Sequence, residues 1–174
     1  MTSPCDEGML KGSSNDMFGG FFFSINIRYT VSMEKIVMYS DGGSRGNPGP
    51  SALGVYIETL DKRFGEFLGT KTNNEAEYAA IVFGLKKIKA LLGKEKAKKV
   101  DIECRMDSEL AMRQLNHIYK IENEKLQPYF FEVWNLSLDF KEVTFVHVRR
   151  ELNTIADAEA NRAMDEAAKQ SNLF

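Results

Sequence analysis

Four acidic residues stand where they could do chemistry together. Asp41 closes a short apolar run, Ile36, Val37, Met38 and Tyr39, that reads as a buried strand, and Asp107 closes another, Val100 to Met106. Open α/β sheets place their sites just beyond the carboxyl ends of strands. If these two strands are adjacent and parallel, both carboxylates meet at one sheet edge. Their mutual repulsion there raises a pKa unless a cation sits between them. Oxygen-only donors, with no His or Cys cluster, favour magnesium or manganese over zinc. Taken singly, each aspartate fits a turn or a helix cap better; the pair is what argues for a divalent metal.

A third carboxylate has to come from the segment Thr72 to Leu92, which carries Tyr78, Ile81, Val82, Leu85, Ile88 and Leu92 on one helical stripe. Glu75 and Glu77 lie about 160° apart on that helix at ~100° per residue, so only one can face the site. Thr72 and Glu75 form a T-x-x-E capping box, which gives Glu75 a structural task and leaves Glu77 as the better ligand candidate. The fourth is Asp157 in the first turn of a last helix, where the helix dipole favours a charged carboxylate whether or not it binds anything.

The elements that must position these residues follow from pattern. Glu34 to Ser40 reads as a first strand, broken by the glycines and prolines of DGGSRGNPGP. Ala52 to Thr59 and Arg63 to Gly69 read as two further strands joined at Asp61 and Lys62, making an opening antiparallel meander. After the long helix and the fourth strand, Ser108 caps a short helix to Leu115. A helix over Glu124 to Leu138 tolerates Pro128 only near its first turn. Val143 to Val148 is a fifth strand, and Asn153 caps a final helix to about Gln170. The order is βββαβααβα, an α/β fold with a five-stranded mixed sheet flanked by helices. A receiver-like domain built around Asp41 or Asp107 fails on topology, since the meander does not fit an alternating βα order.

Composition sets bounds. The chain has 174 residues, 43% of them hydrophobic, enough for one substantial core, and 23 Lys plus Arg stand against 25 Asp plus Glu. No overall positive field draws it to phosphate, so nucleic-acid binding must be local. The richest basic run, Lys86, Lys87, Lys89, Lys94, Lys96, Lys98 and Lys99, reads first as a solvated face. The two cysteines, Cys5 and Cys104, lack zinc-site spacing and fit a reducing cytoplasm. Residues 1–32 read as an appended N-terminal extension, either a flexible tail or a stretch upstream of a true start at Met33, followed by one domain over 33–174. The apolar run Phe18 to Ile27 is too short to span a bilayer, and its acidic flank does not suit a signal peptide, so no membrane association is expected.

DGGSRGNPGP, TNNEAEY, MDSEL and HVRRELNTIADAEAN occur in that order at spacings that resemble type 1 ribonuclease H, over about Lys35 to Ala168. Matched residue by residue, the resemblance implies that Asp41, Glu77, Asp107 and Asp157 are the metal-binding carboxylates. It also implies a ribonuclease H-like fold. The interval from Asp107 to Asp157 is short and lacks the Trp- and Lys-rich insertion that serves some members as a hybrid-binding handle, so the chain resembles the handle-less branch. In that branch an Arg replaces a His that assists product release. Arg150 is the candidate here, with His147 the alternative, although a place inside the last strand suits a structural imidazole better; Arg149 reads as a solvated neighbour.

The resemblance implies an endonuclease that cuts the RNA strand of RNA–DNA hybrids with two magnesium (or manganese) ions about 4 Å apart, leaving 5′-phosphate and 3′-hydroxyl ends. The 2′-hydroxyl distinguishes RNA from DNA, and the candidate readers are the backbone of Gly42, Gly43, Ser44, Arg45 and Gly46 together with Glu77. The glycines fit a bare hairpin turn equally well. Thr72, Asn73 and Asn74 start the long helix, where exposed N–H groups suit a phosphate of the DNA strand. Binding should be salt-sensitive, resting on the helix lysines and Arg150. Two alternatives keep the fold: a nuclease acting on double-stranded RNA or DNA, and a catalytically silent nucleic-acid-binding module. The presence of all four acids argues against the second. A monomer is expected.

Overall fold

In a computed structural model the described residues are 35–171; the expected extension at 1–32, with Cys5 and the run Phe18 to Ile27, lies outside them. Five strands, β1 (Lys35–Ser44), β2 (Gly49–Ile57), β3 (Lys62–Lys71), β4 (Asp101–Met106) and β5 (Glu142–His147), form one sheet in the order β3-β2-β1-β4-β5. The meander is antiparallel, whereas β4 runs parallel to β1 and β5 parallel to β4. The helices are α1 (Asn73–Leu92), α2 (Lys94–Ala97), α3 (Glu109–Leu115), α4 (Gln127–Ser137) and α5 (Thr154–Ser171). The expected order holds apart from α2, a single turn that follows Gly93. Residues 116–126 join α3 to α4 without a further helix or strand.

The first strand is longer than its sequence pattern suggested. β1 does not stop at the glycines but pairs with β2 through Asp41↔Gly54, Gly42↔Leu53, Gly43↔Ala52 and Ser44↔Ser51. Asp41 therefore sits inside a strand, and the turn is confined to the residues before Gly49. Glycine ended the strand on paper because it weakens strand propensity. Here tertiary packing overrides propensity: a Cβ on Gly42 would lie 2.1 Å from the Ala76 carbonyl carbon of α1. On the neighbouring strand, a Cβ on Gly54 would lie 1.9 Å from the Ala156 carbonyl oxygen of α5. Both positions need glycine because a helix backbone rests on the sheet there. That close approach brings the start of α1 and the start of α5 to Asp41.

The core lies mainly between the sheet and α1. Ile36, Met38, Val55, Ile57, Ile102 and Cys104 from the strands meet Ile81, Leu85 and Ile88 of α1, all essentially inaccessible to solvent. Alternation along β1 and β4 sends even-numbered residues into this layer, and each fully buried aliphatic side chain contributes about 1.5–3 kcal/mol relative to exposure. The cap on α1 is formed as expected: Glu75 N–H donates to Thr72 Oγ1 (3.3 Å), and Thr72 N–H donates to Glu75 Oε2 (3.0 Å). Ser108 likewise caps α3, accepting from Ala111 N–H (3.3 Å). Pro128 falls in the first turn of α4, where a missing N–H costs nothing.

Asn153 departs from its expected role. Its carbonyl accepts from Asp157 N–H (3.1 Å), but its side chain does not cap α5. The side-chain amide instead donates to Ser40 O and Asp107 Oδ1. Among the described residues, no helix is long and apolar enough to cross a membrane.

Candidate active site

The last β1–β4 pair is Ser40↔Met106, and the residue that follows each member is an aspartate, Asp41 within β1 and Asp107 just past the end of β4. The sequence expectation that two parallel neighbours bring these acids to one edge is met. Glu77, in the second turn of α1, and Asp157, in the first turn of α5, join them in a cleft of about 270 Å³ whose wall also includes Asn73, Ser108, Arg150 and Asn161.

Each acid has its own surroundings. Asp41 is pushed up to about 7, first by burial, then by the charges of Asp107, Asp157 and Glu77, with the Arg150 charge opposing. Glu77 is also raised, mainly by burial, although the Ser108 hydroxyl favours its ionised form. Ser108 Oγ donates to Glu77 Oε2 (2.6 Å) and Asn73 Nδ2 to Glu77 Oε1 (3.0 Å), so both carboxylate oxygens are fixed. Asp157 Oδ1 accepts from Arg150 Nη2 (3.3 Å) and Oδ2 from Asn161 Nδ2 (3.1 Å). Glu75 faces its cap, and the Thr72 hydrogen bonds hold its carboxyl below the usual range.

Among the described residues no three acidic, His or Cys side chains converge tightly enough to hold an ion as they stand. The donor set nevertheless fits a hard cation: four oxygen acids share one cleft, and burial together with the charges of the other three raises Asp41, a cost that a bound cation would offset.

The substrate-contact candidates divide. Gly42, Gly43, Ser44, Arg45 and Asn73 line the cleft, whereas Gly46, Thr72 and Asn74 do not. Gly42 already serves α1, so its lack of a side chain has a packing cause. Gly46, at φ +99°, belongs to the turn. Ser44 Oγ is engaged with the Gly46 and Lys71 carbonyls, and Arg45 is tied to Asp165 of α5 at 2.6 Å. Arg150 lines the cleft with a side chain 78% exposed. His147, by contrast, does not line the cleft and is exposed at the end of the edge strand β5, because an edge strand leaves its outer side in water. Arg149 is exposed as expected.

Sequence reasoning missed Asn161 and the bond from Ser108 to Glu77. Asn161 lies four residues after Asp157, the spacing at which helical side chains meet, so the signal was present. Ser108 had only its capping role. The lysine run does not face the cleft. Lys86 pairs with Glu132 and Lys89 with Asp139, each at 2.5 Å, and Lys87 lies over the Phe64 and Phe83 rings.

A mixed sheet in this order, with four acids gathered where its two central parallel strands end, defines a ribonuclease H-like fold. Comparison with known proteins agrees. Residues 40–163 match the family described as reverse transcriptase-like. Ribonuclease HI of Halobacterium salinarum is 36% identical over 137 residues, 76% of this chain and 66% of that protein. The bifunctional protein Rv2228c of Mycobacterium tuberculosis is 34% identical over 142 residues, 79% of this chain. The chain spans only 37% of that relative's length. The solved structure of LC11-RNase H1 in complex with an RNA/DNA hybrid superposes with a TM-score of 0.72 at 36% identity, covering 76% of this chain and 99% of that one. The chain belongs to the ribonuclease H family.

Proposed function

We propose that this chain is a divalent-metal-dependent endoribonuclease that hydrolyses the RNA strand of RNA–DNA hybrids, leaving 5′-phosphate and 3′-hydroxyl ends. The observation that carries the proposal is the convergence of Asp41, Glu77, Asp107 and Asp157, from four separate elements, on one cleft. The four acids do not favour one another there, since the charges of the other three add to burial in raising Asp41. The hybrid bound by LC11-RNase H1 supports the substrate class.

Magnesium or manganese would be held by these four carboxylates, and two such ions, when bound, supply the Lewis acidity that activates an attacking water and stabilises a leaving 3′ oxygen. The chain's own residues do the rest. Ser108 and Asn73 fix the Glu77 carboxylate, so it enters the reaction already oriented. The main chain at Gly43 to Arg45 borders the cleft beside Glu77 and is the proposed reader of the 2′-hydroxyl. Arg150, held by a single bond to Asp157 and otherwise in solvent, is free to swing to a product 5′-phosphate and assist its departure.

The test is cleavage of an end-labelled RNA–DNA hybrid in magnesium, beside double-stranded RNA and duplex DNA, with Asp107→Asn as control. Cutting confined to the hybrid's RNA strand and abolished in the control is the expected result. Cutting of double-stranded RNA as well would widen the substrate class. Absence of any metal-dependent cutting would leave a binding module.

A further inference from the structure

Beyond Ser40↔Met106 the β1–β4 ladder ends, because β1 continues along β2 while β4 stops. Asp41 is still held by its pairing with Gly54 of β2, but Asp107 lies past the last pair that fixes β4, and the charge of Asp107 acts on Asp41. One side chain bridges that gap. Asn153, 1% exposed, donates through Nδ2 to Ser40 O on β1 (3.0 Å) and to Asp107 Oδ1 beyond β4 (3.2 Å). Both neighbours are acceptors only, so chemistry alone fixes which end of the amide faces them. Its carbonyl meanwhile accepts from Asp157 N–H at the start of α5.

The cost of this arrangement is visible. Asn153 Oδ1 is buried with no hydrogen-bond partner. An asparagine in this position ordinarily turns its oxygen to the N–H groups of the helix it precedes. Doing so here would give that oxygen donors but break both bridge bonds. The side chain keeps the bridge and forgoes the cap.

We propose that Asn153 is a positioning residue whose amide locks the Asp107 carboxylate to the end of β1, setting its spacing from Asp41 for metal binding. The inference rests on the metal-dependent reading above. Outer groups that orient metal ligands are worth about 10–100-fold in metal affinity or activity.

The experiment uses the full chain with Asn153→Ser and Asn153→Asp. Both replacements are good helix caps, and neither can donate as the amide does. Three readouts are taken: thermal melting, Mn²⁺ binding by calorimetry, and kcat and KM on a hybrid across a magnesium titration. For the serine variant, melting within a few degrees of the parent is expected, with Mn²⁺ binding weakened roughly tenfold or more, kcat lowered roughly tenfold or more, and KM for the hybrid changed less than about threefold. The aspartate variant, which sets an anion against Asp107, should bind Mn²⁺ more weakly still. Parental Mn²⁺ binding and kcat in a folded serine variant would overturn the proposal and make Asn153 a cap or packing residue. A parent that binds Mn²⁺ but cuts no hybrid would remove the hydrolase reading while the binding comparison still decides this one. A parent that binds no Mn²⁺ would overturn both.

Discussion

The two ends of the long helix α1 treat charge in opposite ways. Near its C-terminal half Lys86 and Lys89 meet Glu132 of α4 and Asp139 just beyond it, and Lys87 rests on two phenylalanine rings. Every one of those cations is answered locally. At its N-terminal end Glu77 enters a cleft with three other acids, against which the lining sets two basic residues, Arg150 and an Arg45 already paired with Asp165. The first region is arranged for the free protein and gains little, since exposed pairs contribute about 0–1 kcal/mol each. The second is frustrated in the free protein and satisfied only by something added. A region whose charges are already answered has no call for a ligand, and this is why the lysine run, the more conspicuous feature in sequence, is the weaker guide to function.

The largest effect expected from this contrast is on catalysis. Asp107→Asn should lower kcat on a hybrid by about three orders of magnitude, roughly 4 kcal/mol, measured under single turnover. Replacing Lys86 or Lys89 should leave it within about twofold.

The frustration also has a sign in stability. Below about pH 4 the Asp41 carboxyl is protonated in both the folded and unfolded chain, and its full contribution is present. As pH rises towards about 7 the unfolded chain releases this proton and the folded one resists, so stability falls by something on the order of a few kcal/mol. Asp41→Asn removes this term. In the absence of metal its melting temperature should exceed the parent's by a margin that widens from pH 5 to 8, and magnesium should close or reverse that margin. Equal pH profiles for the two chains would show that the cleft is not strained by charge. Smaller again, Arg150→Ala should lower steady-state kcat roughly tenfold, about 1.4 kcal/mol, with a pre-steady-state burst of product appearing or growing if product release is its step.

Much of this arrangement was legible in the residues, for physical reasons that also explain the gaps. Apolar runs ending in Asp41 and Asp107 announce strands whose ends carry acids, and the Thr72–Glu75 box leaves Glu77 for the cleft. Those signals are local. The length of β1 was not local: Gly42 and Gly43 look like a turn until α1 and α5 are laid against the sheet, when the absent side chains at Gly42 and Gly54 become the reason the helices come close. Asn153 misled in the same way. Its type and place before α5 specify a cap, and only the meeting of β1, β4 and α5 supplies the two acceptors that draw its amide elsewhere. His147 stood in a strand, but nothing in the sequence said that the strand lies at the sheet edge.

The smallest effect tests the quiet side of the comparison. Lys86→Ala with Lys89→Ala breaks two ion pairs between α1 and the α4 region. Because these pairs are half-exposed, the loss should be no more than about 1 kcal/mol each, and less in high salt. The same variant sharpens the question of what binds nucleic acid. Phosphate contacts contribute to the salt dependence of affinity in proportion to their number, so a lysine that touches the backbone lowers the slope by about one when removed. Lys86 and Lys89 are already neutralised by acids and lie more than two helical turns from Glu77, so the double variant should keep the parental slope on a hybrid. Arg150→Ala should reduce it. A slope that falls by about two in the lysine variant would mean that hybrid binding opens these pairs and draws the helix face into the interface.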